Sequence, residues 1–74
     1  MNKAFAEIHN SLLQRYQFAI EQGNTHEVSA RITLRTGLRK MIELAHSCED
    51  IDALIDLQRR YSDLRDNGSI PQPI

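Results

Sequence analysis

Arg31-Ile32-Thr33-Leu34-Arg35 can be read with two periods, and the choice between them decides the fold. Read with period two, Arg31, Thr33 and Arg35 face outward and Ile32 and Leu34 inward, which describes a short strand. Read with period 3.6, the segment belongs to a longer run in which Val28, Ala30, Ile32, Leu34, Leu38, Met41, Ile42, Leu44 and Ala45 share a broad apolar arc. Glu27 to Arg31 is a helical pair four apart. A strand at 31–35 would also leave a following helix of only about ten residues, with no glycine in the turn behind it. The helical period is therefore preferred, over about 25–46.

On the N-terminal side, Phe5, Ile8, Leu12, Tyr16, Ala19 and Ile20 recur at spacings of three and four and predict an amphipathic helix over about 3–22, ended by Gly23. Asn24 followed by Glu27 has the chemistry of a capping box for the second helix. Ser47 and Asp50 repeat that arrangement, and Ile51, Leu54, Leu57, Tyr61 and Leu64 then form a stripe predicting a third helix over about 49–66, stopped by Asn67 and Gly68. Its outer face carries Asp52, Asp56, Arg59, Arg60 and Asp63. Short connections make consecutive helices antiparallel, so the expected fold class is all-α: an up-down-up three-helix unit forming one domain over 1–68. In the tail, 69–74, Pro71 and Pro73 forbid helix and leave an extended or disordered segment, in which Ile70 and Ile74 read either as anchors for a partner or as part of a frayed terminus.

The chain has 74 residues, 41% of them apolar, with nine Lys and Arg against ten Asp and Glu for a net charge of −1. A domain of this size buries only about 60% of the surface its unfolded chain exposes, so completion by homodimerisation is expected. The apolar arc of the second helix is also too wide for a single neighbour. No apolar run approaches the roughly 18 residues of a membrane span, and the N-terminus turns polar too quickly for a signal peptide. Lone Cys48 cannot form an internal disulfide and reads as a small packing residue, which fits a reducing, cytoplasmic setting. His9, His26 and His46 lack the ligand spacing of a metal site and read as surface or half-buried residues, and neither a phosphate loop nor a nucleophile motif is present. The chain is expected to be no enzyme and to hold no cofactor.

Charge is unevenly distributed: residues 1–23 balance, 24–47 carry plus two and 48–74 carry minus three. Arg31, Arg35 and Arg39 recur every four residues and form one ridge among Val28, Ile32 and Ile42. Arginine suits such a mixed face, because its stem packs on apolar surface while its planar head engages carboxylates. The ridge therefore reads either as a partner-binding surface or as stems that pass the core and pair with Glu7, Glu21 or the acidic third helix. Gly37, in mid-helix, costs about 1 kcal/mol relative to Ala and marks either a close helix approach or a kink. Phe18 falls opposite the apolar stripe of the first helix and is expected to be exposed. Together, Phe18, Arg31, Arg35 and Arg39 are the expected partner-binding residues of a small interaction protein, an inhibitor, adaptor or chaperone.

The strand reading of 31–35, with Thr36 capping a helix that carries Leu38, Ile42 and Ala45, is similar to the ribbon-helix-helix pattern. That resemblance covers less than half the chain and implies a dimeric DNA-binding regulator that places Arg31, Thr33 and Arg35 in the major groove. The net charge of −1 argues against it, since affinity for duplex rests on basic surface.

Overall fold

The computed structural model describes residues 1–23 and 26–74. Three helices form, α1 at Lys3–Gln22, α2 at Glu27–Ser47 and α3 at Ile51–Asn67, and there is no strand among the described residues. The segment 31–35 is helical, so the ribbon that the alternative reading requires is absent. Thr33 accommodates the helix by donating its hydroxyl to the Ser29 carbonyl at 3.1 Å, a local bond that β-branched Thr makes in helices.

Each helix end has a chemical cause. The Asn2 side chain accepts from the Phe5 amide at 2.8 Å to start α1, and Gly23 ends it in the left-handed conformation, φ 67°. Gly68 ends α3 in the same way, φ 68°. At the start of α3 the expected Ser47 cap is replaced by Asp50, which accepts from the Ala53 amide at 3.2 Å. Ser47 remains the last residue of α2 and bonds back to the Glu43 carbonyl, and Glu49 turns the chain with φ 58°. Cys48 caps α2 and is exposed, not packed, because it lies in this solvent-facing turn. Asn24 of the expected first capping box lies outside the described residues; Glu27 accepts from Tyr16 and Arg31.

α2 is the central element. It packs on α1 along one side and α3 along the other, while α1 and α3 touch only slightly. Two flanking helices cover part of its apolar arc: Ala30, Leu34, Leu38, Met41 and Ala45 are buried together with Phe5 and Leu13 of α1 and Ala53, Leu57 and Leu64 of α3, while Val28, Ile32 and Leu44 of the same arc are exposed. Successive helices are antiparallel. Leu12 meets Gly37, Arg31 meets Gly68 and Arg39 meets Tyr61, while the Asn2 amide donates to Asp50 Oδ2 at 3.1 Å and ties the N-caps of α1 and α3 together.

The buried line of α1 is Phe5, His9 and Leu13, spaced by four; of the expected stripe Phe5 is buried and Leu12 and Tyr16 pack against the core, but Ile8 and Ile20 are exposed. Because α1 leans on α2 and scarcely on α3, only a narrow arc of it is covered. His9, expected to be a surface or half-buried residue, is completely buried. Ile51 of the expected α3 stripe is exposed, and Arg60, expected on the outer face, has a side chain only 16% exposed. Residues 69–74 have no regular structure yet are held against the helices: Arg60 Nη1 donates to the Gln72 carbonyl at 2.7 Å, and the Asn10 amide both donates to the Ile74 carbonyl and accepts from its N–H, each at 2.9 Å. Ile70 packs on the core.

Candidate functional site

The ridge on α2 faces α3. Arg31, Arg35 and Arg39 stand one helical turn apart, and α3 adds Tyr61 and, four residues on, Arg65. Arg31, Arg35 and Arg65 line an open groove of about 490 Å³ together with Val28, Ile32, Leu64 and Asp66, and Arg39, Arg65 and Tyr61 line the adjoining one of about 410 Å³. Four guanidinium groups thus border a continuous α2–α3 furrow with apolar patches in it.

Tyr61 is the hub. Arg39 Nη2 donates to its hydroxyl at 3.0 Å, and the Arg39 and Arg65 guanidinium carbons lie 5.9 and 5.4 Å from its ring centroid, within cation–π range. The Arg39 hydrogen bond, outweighing desolvation and helped by the positive charges of Arg39, Arg35 and Arg65, holds the Tyr61 hydroxyl below its usual pKa. A lowered phenol is the electrostatic mark of a positive furrow.

Acidic partners are few and local. Arg31 pairs with Glu27 on its own helix, and Arg65 pairs with Asp66 beside it. Among the described residues no ridge arginine pairs with Glu7, Glu21 or an acid of α3, although Asp66 borders the same groove as Arg31 and Arg35. Arg35 makes no hydrogen bond or ion pair among the described residues, and Arg31 Nε is buried without an acceptor. An unsatisfied buried donor costs about 1–3 kcal/mol, which favours reorientation of Arg31 toward an arriving carboxylate.

Phe18 does not join this furrow. It stands on the outer face of α1, 63% exposed, and neither groove lined by the arginines includes it. The four expected partner-binding residues therefore belong to two surfaces. Thr33 also parts from Arg31 and Arg35: it lines a groove on the α1 side, about 200 Å³, with Leu12, Tyr16 and Ala30.

A second polar cluster was missed in the sequence. His9 Nδ1 lies 3.1 Å from Asn10 Oδ1, and its Nε2 faces Arg60 Nη1 at 3.5 Å, while Arg60 Nε pairs with Asp56 at 3.3 Å. Burial lowers the His9 pKa, the Arg60 charge adds to that, and Asn10 and Asp56 oppose it. Burial tends to raise Asp56, but hydrogen bonds and charge from Arg59 and Arg60 hold it below the usual carboxylate value. The usable signal was register: His9 falls midway between Phe5 and Leu13, and Arg60 between Leu57 and Leu64, at core spacing.

The chain has no significant match to any protein family, curated protein or solved structure. No helix among the described residues is long and apolar enough to cross a membrane.

Proposed function

We propose that this protein is a small non-catalytic interaction module, acting as a homodimer, that binds an acidic segment of a protein partner in the α2–α3 furrow and thereby modulates it as an inhibitor, adaptor or chaperone. The observation that carries this reading is the gathering of Arg35, Arg39 and Arg65 around Tyr61, with Arg31 further along the same furrow and Arg35 unpaired among the described residues. Permanently charged guanidinium groups suit recognition of carboxylates and not proton transfer. Val28 and Ile32 supply apolar contact beside them, and the mixture is typical of interface surface. Glu27 and Asp66 are exposed enough to yield their arginines at little cost. A cytoplasmic setting suits the exposed free thiol of Cys48.

The test is titration with a labelled peptide alternating Glu and Leu, set against a duplex DNA of equal charge. Binding of the peptide, weakened about tenfold by Arg35→Ala and by Arg39→Ala, supports the furrow. Binding of duplex with a steep salt dependence, and none of peptide, would replace this reading by the nucleic-acid one. That alternative needs Arg31, Thr33 and Arg35 on one face, whereas Thr33 lies on the opposite side of α2.

A further inference from the structure

We infer that two copies of this chain pair through the outer face of α1, antiparallel, about a twofold axis at Ser11. This rests on the homodimer proposed above and names its surface.

Ala4, Ser11 and Phe18 are seven residues apart, which on an α-helix is two turns less about 20°, so they form a single seam. The seam points away from Phe5, His9 and Leu13, the residues α1 buries in its own core. Phe18 is 63% exposed and Ile8 beside the seam 43%, an apolar load on this outer face of the helix. Around Ser11 the surface is hollow: Ala4, Glu7, Ile8, Ser11, Leu12 and Arg15 line an open depression of about 410 Å³. Small residues at positions 4 and 11 let a second helix come close.

The occupant follows from charge. Glu7 lies four residues before Ser11 and Arg15 four after it, each flanking the seam by about 40°. Arg15 has no hydrogen bond or ion pair among the described residues, and Glu7, 68% exposed, has only Lys3 at 4.0 Å. With a twofold axis at Ser11, a residue a given number of places before Ser11 stands level with the one that far after it in the second copy. Glu7 of each copy then stands level with Arg15 of the other, and Phe18 of each with Ala4 of the other. A parallel pair would set Glu7 against Glu7 and Arg15 against Arg15, so charge selects the antiparallel arrangement. Large Phe18 meets small Ala4 at both ends, and Ser11 meets itself at the centre. Because this face is separate from the α2–α3 furrow, the dimer carries two open furrows and can engage a partner bivalently.

The experiment is sedimentation equilibrium over a concentration series, with helicity checked by circular dichroism. Arg15→Glu sets like charges level at both ends and weakens the dimer by about tenfold, and the combination of Glu7→Arg with Arg15→Glu restores it. Phe18→Glu gives a folded monomer whose furrow still binds the acidic peptide. Ser11→Cys in a Cys48→Ser background crosslinks to dimer on oxidation, whereas Gln17→Cys, about 120° around the helix, does not. A wild-type chain that stays monomeric at millimolar concentration would overturn the homodimer altogether. A dimer indifferent to Arg15→Glu and uncrosslinked at position 11 would overturn this surface and leave the homodimer standing.

Discussion

Leu12 of α1 occupies the space that a side chain on Gly37 of α2 would take: a β-carbon there would stand 2.8 Å from Leu12 Cδ2 and 2.9 Å from Cδ1. α2 runs unbroken through this point from Glu27 to Ser47, so Gly37 serves close approach and not a kink. The approach seats α1 on one flank of α2 and leaves the other flank, with its arginines, to α3.

Gly37→Ala sets two effects of similar size against each other. The helix gains about 1 kcal/mol in propensity, and Leu12 must leave its rotamer at a cost of about 0.5–1.5 kcal/mol. Leu12 borders an open groove of about 200 Å³ and has room to turn. The expected result is a stability change under about 1 kcal/mol by urea denaturation, whereas Gly37→Val destabilises by about 2 kcal/mol or more. In a Leu12→Ala background, Gly37→Ala is stabilising, and a double-mutant cycle that shows no such coupling would contradict the contact.

His9 makes stability depend on pH in a defined direction. Its pKa is lowered in the fold from 6.5, by burial first and by Arg60 second, so the native state holds the neutral ring while the unfolded chain takes up a proton. The neutral ring accepts from Arg60 at Nε2, and a proton there would put donor against donor. Stability is therefore complete above pH 6.5, falls as pH drops below it, and stops falling once the folded ring protonates. The slope reaches at most about 1.4 kcal/mol per pH unit. Urea midpoints from pH 8 to 5 should show this limb, and His9→Gln should remove it.

The docked tail depends on two side chains from different helices. Asn10 pairs with both polar groups of the Ile74 backbone, and Arg60 donates to the Gln72 carbonyl. Asn10→Ala and Arg60→Met should each raise amide hydrogen exchange and proteolysis at 69–74 while leaving helicity in place. Arg60→Met costs less than Arg60→Ala, since the methionine still fills the site. Tail protection unchanged in both variants would show that Ile70 alone anchors the segment.

How much of this was legible in the sequence depends on what carried the signal. The three helices were readable because Phe5, Leu12 and Tyr16, then Leu34 and Leu38, then Leu57 and Leu64 keep helical spacing and because Gly23 and Gly68 stand where a left-handed residue ends a helix. The arginine ridge was readable too, since spacing by four is local. His9 and Arg60 escaped because they occupy apolar register with polar side chains, and what makes them tolerable there comes from afar: the Arg60 head lies 51 residues from His9 in sequence, and its carbonyl acceptor is on the returning tail. The division of Phe18 from the arginines could not be read from helical wheels, which fix faces within a helix but not which neighbour each face meets.

Tyr61 and Tyr16 offer a direct reading of the furrow's field. Tyr61 is lowered from the ordinary phenol value by the Arg39 hydrogen bond and the surrounding guanidinium groups, while Tyr16 is raised by burial and then by its bond to Glu27. Ultraviolet titration of tyrosinate should therefore be biphasic, with Tyr61 ionising first, and Tyr61→Phe should delete the earlier phase. Arg39→Gln should move that phase upward and leave the later one in place, whereas Glu27→Gln should lower only the later one. High salt should shrink the part of the Tyr61 shift that comes from Arg35 and Arg65, which act through charge, more than the part from the Arg39 hydrogen bond. A single unsplit titration would mean that Arg35, Arg39 and Arg65 do not converge on Tyr61 in solution, and the furrow would lose its electrostatic basis for holding an acidic segment.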